Sequence, residues 1–276
     1  MMCTLMNESE AMNAESNAPA STIPQPLKGL RVVEFTHMVM GPTCGMVLAD
    51  MGAEVIKVEP IDGDRTRHLL GSGAGFFPLF NRNKKSIAID LHQPEGAELA
   101  RKLAASADIV IENFRPGTLE KWGLGWEALH ALNPKLIMVR VSGYGQSGPY
   151  SQRPGFAAIA ECMGGLRYTS GFPDRPPVRV GVSLGDTLAS LYGTIGALMA
   201  LHHRNSGGSG QFIDVALYES VFAIMESLVP EFSAQGFVRE RSGASLPGIA
   251  PSNTYLCGDG LYVAIAGNGD AIFRRL

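Results

Sequence analysis

The chain of 276 residues has no lysine or arginine before Lys28. A secretory leader needs a basic start and an apolar centre, and a mitochondrial transit peptide needs arginines. Neither is expected, and a cytoplasmic location follows by default. Cysteine is scarce. The four present (Cys3, Cys44, Cys162 and Cys257) lie far apart, with no C-x-x-C and no Cys/His ligand spacing. No metal centre is expected, and free thiols in a reducing compartment are the simplest account. Excess charge is missing too: the net charge is −3 and the pI near 6.1. Neither nucleic acid nor an acidic membrane surface is expected as a partner. No apolar run approaches the length that spans a bilayer, so no membrane association is expected either.

What the chain does have is apolar content, 45% of its residues, enough for a sizeable core in one or two domains. Residues 1–26, rich in Ser, Asn, Ala and Glu, are expected to be a disordered extension. From Leu27 the pattern alternates between strands and helices. Arg31–Phe35 is an apolar strand, Thr43–Met51 a helix closed by Gly52, and Glu54–Glu59 the next strand. That β-α-β unit implies a parallel sheet with a right-handed crossover. Further strands are expected at Ile87–Asp90, Asp108–Glu112, Leu136–Val141 and Phe212–Ala216. Helices are expected at Pro94–Ala107, Thr118–Trp122, Trp126–Leu132, Phe156–Leu166 and Glu219–Val229, the last ending before Pro230. Beyond it the chain turns polar and Gly/Ser/Pro-rich, then forms a hairpin over Tyr255–Ala266 turning on Gly258-Asp259-Gly260. The expected fold is α/β: a Rossmann-like parallel sheet with flanking helices over residues 27–229, then the start of a smaller second domain over 230–276.

The stretch most suggestive of chemistry is Pro177–Leu201. Val178, Val180 and Val182 alternate like a half-buried strand, Gly181 and Gly185 flank a turn, and Asp186 opens a helix. Leu188, Leu191, Tyr192, Ile195, Leu198 and Met199 recur there at helical spacing. Three readings of this turn compete. Asp186 is a good helix N-cap. Spacing alone favours that reading; the second is a carboxylate nucleophile able to form acyl intermediates. Gly181-Val182-Ser183-Leu184-Gly185 also matches the G-x-S-x-G elbow of serine hydrolases. That fold needs an acid and then a histidine after the serine. The only later histidines, His202 and His203, sit in or at the end of the same helix, so the hydrolase reading is weak.

Three other segments invite a function. Gly143-Tyr144-Gly145-Gln146-Ser147-Gly148 matches the dinucleotide fingerprint, which requires a helix to open on it; Pro149 and Pro154 oppose one. Asn81-Arg82-Asn83-Lys84-Lys85-Ser86 is a basic loop beside a strand, either solvated or an anion site. The loop Asn113-Phe114-Arg115-Pro116-Gly117 follows a strand, where ligands of open α/β sheets collect.

Seven segments, in order and spacing, resemble the class III CoA-transferases, the CaiB/BaiF family that includes formyl-CoA transferase and α-methylacyl-CoA racemase. They are LKGLRVVEFTHMVMGP, LADMGAEVIKVEP, NRNKKSIAIDL, ADIVIENFRPG, GYGQSGP, GVSLGDTLASLYG and GQFIDVALYES. The resemblance implies that Asp186 is the catalytic aspartate, exchanging coenzyme A between an acyl-CoA thioester and a carboxylic acid through a covalent aspartyl intermediate. It implies that His37, Val39 and Met40 line the CoA thiol region. Ile89 to His92, Asn113, Phe114, Arg115, Lys121 and Arg153 then fall where nucleotide and pantetheine are held. For the apolar members the plain alternative is packing. The basic members suit the phosphates of CoA.

The chain departs from relatives in three ways. Val39 replaces the glutamine of formyl-CoA transferase, which disfavours formyl/oxalate exchange. Phe156 replaces the racemase histidine and cannot move a proton, which disfavours racemisation. Family members also continue well beyond this length, through a second domain that returns to the first in an interlocked homodimer. A truncated, catalytically impaired CoA-binding remnant is therefore the alternative expectation. Gly243–Tyr255 resembles the family's glycine-containing loop near the acyl site.

Overall fold

The computed structural model describes residues 24–276. The expected disordered extension, apart from Pro24–Pro26, lies outside them. The elements run β1 (Arg31–Phe35), α1 (Met40–Asp50), β2 (Glu54–Glu59), α2 (Phe76–Phe80), β3 (Lys84–Ala88), α3 (Pro94–Ala105), β4 (Ile109–Glu112), α4 (Trp126–Leu132), β5 (Ile137–Ser142), α5 (Ala157–Met163), α6 (Leu166–Thr169), α7 (Leu184–Asn205), β6 (Phe212–Ala216), α8 (Leu217–Phe222), α9 (Leu228–Gln235), β7 (Ser252–Leu256), β8 (Tyr262–Ala266) and α10 (Asp270–Phe273).

The first six strands form one parallel sheet in the order β3-β2-β1-β4-β5-β6. Strand order reverses between β1 and β4, the doubly wound arrangement whose ligand crevice lies at the carboxyl ends of that pair. Side chains alternate between the two faces, as the strand period requires. Val32, Ile109, Ile111, Val139 and Val141 join one core with α1 and α7. Val33, Val110 and Met138 join the other with α3 and α4. Near-continuous apolar runs such as Ile109-Val110-Ile111 follow from burial on both faces. The hairpin β7–β8 pairs antiparallel, apart from the large sheet.

Four expectations need correction. Val178–Val182 is not a strand: the three valines are exposed, and the segment runs as a loop into α7. Pro176 and Pro177 supply no backbone donor there, Gly181 turns at φ 70°, and no strand offers a ladder. The last helix before the hairpin does not stop at Pro230. The chain breaks after Phe222 instead, and α9 carries Pro230 in its first turn, where a missing N–H costs nothing.

The third correction concerns the face of α7. Leu191, Tyr192, Ile195, Leu198 and Met199 are exposed, while Ala189, Ser190, Gly193, Thr194, Ala197 and Ala200 are buried. A Cβ on Gly193 would lie 3.2 Å from Val139 Cγ1, and one on Gly196 2.8 Å from Ile213 Cγ2. The small residues let the helix approach β5 and β6 closely, and large side chains at those positions would be shut out. Fourth, α7 is, at 22 residues, long and apolar enough by length and composition to cross a membrane, so one such run does exist. In this fold it packs on α1, α8, β5 and β6.

Candidate active site

The loops after β1 and β4 meet at the switch point. Asn113 accepts from the His37 backbone N–H through Oδ1 at 3.0 Å and donates from Nδ2 to the His37 carbonyl at 2.8 Å. One side-chain amide thus pairs with a backbone as a neighbouring strand would. Between His37 and Val39, Met38 has a φ of 64°, a left-handed conformation that a side-chain-bearing residue adopts only when its surroundings impose it. Val39 is buried and Met40 half-buried at the start of α1.

The same loop is held from beneath by buried charge. Lys57 Nζ donates to the Thr36 carbonyl at 2.6 Å and pairs with Asp64 at 2.9 Å. Lys84 Nζ pairs with Glu34 at 2.8 Å and donates to the Pro42 carbonyl at 2.8 Å. The basic loop over 81–86 is therefore no free anion site. Lys84 is consumed in the interior, while Arg82 pairs with Asp50 and Lys85 with Glu54.

On the other side of the switch point, Glu112 is fully buried. It accepts from the Phe114 N–H at 2.7 Å and from Arg140 Nε at 2.5 Å, and Arg140 reaches on to Glu120 at 2.6 Å. Burial raises the Glu112 carboxyl to about 7 despite Arg140 beside it. These contacts set Phe114 within an aromatic line. His37 and Phe114 lie 5.6 Å apart, Phe114 and Trp122 5.9 Å, and Trp122 and His92 5.5 Å. The line spans the carboxyl edge from β1 to the loop after β3. Trp122 is a member the sequence reading missed; its one signal was its place next to Lys121 in the loop after β4. Ile89 is buried in the core with Phe114 and Trp122 packed nearby, so packing accounts for it. Arg115 and Lys121 are exposed and form no ion pair among the described residues; Arg153 is exposed, with its guanidinium over the Tyr150 ring at 4.2 Å.

No helix opens on Gly143–Gly148. Gly145 turns at φ 82°, and the Asp214 carboxylate of β6 accepts from the Gln146 N–H at 2.9 Å. Around Ser183 the strand that an elbow requires is missing. Ser183 takes the N-cap position of α7 and makes no side-chain capping bond.

Asp186 therefore sits inside the first turn of α7 and is not its cap. Its carboxylate is partly buried and accepts no hydrogen bond from the described residues. Burial first, and the charge of nearby Glu161 second, raise it to about 6; Arg179 opposes them. Ser190, one turn on, ties this segment to the first loop: its hydroxyl lies 2.6 Å from the Met40 carbonyl and 2.7 Å from that of Asp186. Ser190 and Glu161 also escaped the sequence reading. A single serine or glutamate within a helix carries no periodic signal.

A doubly wound sheet carries cations and aromatics at its switch-point edge and a partly buried carboxylate on an adjoining helix. A family model described as CoA-transferase family III matches residues 27–276, and the chain belongs to that family. It is 54% identical, over 92% of its length, to a succinyl-CoA–D-citramalate CoA-transferase of Chloroflexus aurantiacus. It is 39% identical, over 91%, to a succinate–glutarate CoA-transferase of Agrobacterium fabrum. It spans 64% and 65% of those relatives' lengths. A crystal structure of a CaiB/BaiF family protein from Brucella suis superposes with a TM-score of 0.83 at 41% identity, covering 91% of this chain and 68% of that one.

Proposed function

We propose that the protein transfers coenzyme A from an acyl-CoA thioester to a carboxylic acid, with Asp186 as the nucleophile. Asp186 adds to the thioester carbonyl and releases CoA as a thiolate, leaving a mixed anhydride. The aspartyl carbonyl then takes up the thiolate and frees the first acid. A second acid displaces this aspartyl thioester through another anhydride and leaves as its CoA ester. Each step exchanges one activated acyl bond for another, which is how covalent catalysis divides a difficult exchange.

The observation that carries this reading is the Asp186 carboxylate itself. At about 6 it is ionised at neutral pH yet more basic than a solvated aspartate. Because no hydrogen bond from the described residues masks it, no partner among them has to be broken before attack. The α7 N-terminus favours the negative charge that develops nearby.

The residues at the carboxyl edge fit CoA. The line from His37 to His92 offers flat surfaces for adenine and pantetheine, and Arg115, Lys121 and Arg153 offer charge for phosphates. Small dicarboxylates are the proposed acids, because the relatives are named for succinyl, citramalate and glutarate substrates. Phe156, 63% exposed, has no proton to move, which favours transfer over racemisation. Residues 230–276 are assigned to the start of a smaller domain, and the exposed stripe of α7 to the interface of an interlocked homodimer. Free Cys44, Cys162 and Cys257 agree with a cytoplasmic setting.

The test is intact-mass spectrometry after incubation with succinyl-CoA. An adduct on the wild type and none on Asp186→Asn supports the reading. An adduct on both removes Asp186 from the nucleophile's role.

A further inference from the structure

Glu161 is a buried charge that this mechanism does not use. It lies on α5 and is 1% exposed. Its Oε2 accepts from Arg167 Nε of α6 at 2.8 Å, and its Oε1 lies 3.4 Å from the Gly185 N–H it accepts, in the first turn of α7. A carboxylate from another helix therefore binds the turn that carries Asp186, at the residue just before it. Gly185 is buried against α5 and α8: a Cβ there would stand 3.4 Å from the Ala157 carbonyl and 3.4 Å from Val221 Cγ2.

We infer that Glu161 is a positioning residue for the transfer reaction: it fixes the first turn of α7 and, by its charge, drives Asp186 from the ionised carboxylate toward the neutral acylated state. The inference rests on Asp186 being the nucleophile. When an Asp186 oxygen adds to the thioester carbon, the C–S bond breaks, its electron pair leaves on the CoA sulfur, and Asp186 becomes a neutral anhydride. The like-charge repulsion across the turn ends at that moment. An interaction that is unfavourable before attack and absent after it lowers the barrier between the two. Arg167 tempers the effect by neutralising part of the Glu161 charge.

The charges around Asp186 come from three segments. Glu161 is on α5, with Arg167 of α6 behind it, and Arg179 is in the loop before α7. Val221 of α8 and Met40 of α1 bring no charge to this turn.

Two variants of the full-length protein separate this role from mere support. Glu161→Gln keeps the shape and an acceptor for the Gly185 N–H but removes the charge. Arg167→Met leaves the Glu161 charge untempered. The rate of Asp186 adduct formation is followed by rapid quench against pH, with succinyl-CoA as the probe. In Glu161→Gln the acid limb is expected about half to one pH unit lower, the lesser end of a like-charge effect, and the plateau rate about three- to tenfold lower. In Arg167→Met the acid limb is expected to move the opposite way. Unmoved limbs in both variants, with the adduct still on Asp186, overturn the inference and leave the nucleophile standing. Movement in the same direction in both also overturns it. Absence of any adduct on wild-type Asp186 overturns the mechanism beneath it.

Discussion

At the carboxyl ends of β1 and β4, the groups that shape the loops are satisfied by one another. The His37 backbone pairs with Asn113, the Thr36 carbonyl accepts from Lys57, and the Phe114 N–H donates to Glu112. At the first turn of α7 the opposite holds: Asp186 has burial and a like charge beside it, and no donor among the described residues. The proposed binding half of the site is rigid because its polar groups are paired. The proposed reacting half is poised because its carboxylate is not. A bound cofactor-sized molecule needs a shape prepared in advance, whereas a nucleophile needs a free lone pair.

The largest expected effect comes from breaking the reacting half. Asp186→Asn is expected to lose transfer by roughly 10⁴-fold or more, the scale of removing a covalent nucleophile, while retaining CoA in equilibrium dialysis. The same substitution sharpens the comparison through stability. The folded Asp186 ionises at about 6, above its unfolded value, so the native state holds its proton longer and wild-type stability falls as pH rises from about 4 to 6. Asp186→Asn is therefore expected to be more stable than wild type at pH 7.5, by about 1–3 kcal/mol, and level with it near pH 3.5. Thermal melts at the two pH values check this; equal differences at both would remove the burial argument.

Breaking the binding half is a matter of stability first. Lys84→Met removes the close partner of the buried Glu34 carboxylate and leaves it Lys57 at 3.8 Å and the Thr36 hydroxyl at 3.0 Å. It is expected to cost about 3–5 kcal/mol in urea unfolding, the scale for removing one partner of a buried pair. Asn113→Ala removes two hydrogen bonds and frees the His37 loop. A loss of about 1–3 kcal/mol follows, expressed as a raised KM for the acyl-CoA donor with kcat less affected. A matching fall in kcat alone would mean that the clamp serves the chemistry and not binding. Lys85→Ala breaks only an exposed pair with Glu54 and is expected to change stability by less than about 1 kcal/mol.

Much of this was legible in the chain. The strand from Arg31, the helix from Pro94 and the hairpin closing on Gly258-Asp259-Gly260 carry their signals within a few residues, and the structure places them within a few positions of expectation. The proposed site residues after β1, β3 and β4 rest on the family resemblance; the one local signal was the loop Asn113–Gly117 at the carboxyl end of a strand. What failed needed a third dimension. The Val178–Val182 alternation has the strand period, but a strand exists only where a neighbour offers a ladder. The large apolar residues of α7 have the helical period, but which side of a helix meets the sheet depends on how closely the backbones must approach, and here Gly193 and Gly196 settled it. Lys84 and Lys85 are adjacent in the chain, and only the fold sends one inside to Glu34 and the other out to Glu54.

The sequence by itself determined the alternation of strands and helices, the parallel sheet that alternation demands, and the placing of a carboxylate at the start of the longest helix, because these rest on local propensity and short-range periodicity. The tertiary structure alone decided that Asn113 would hold His37, that Trp122 would join the aromatic line, and that Glu161 would lie against the turn bearing Asp186. Those pairings join residues tens of positions apart, and burial gives them their strength: a charge or amide that is ordinary in water becomes decisive only when packing removes its solvent and chooses its partner.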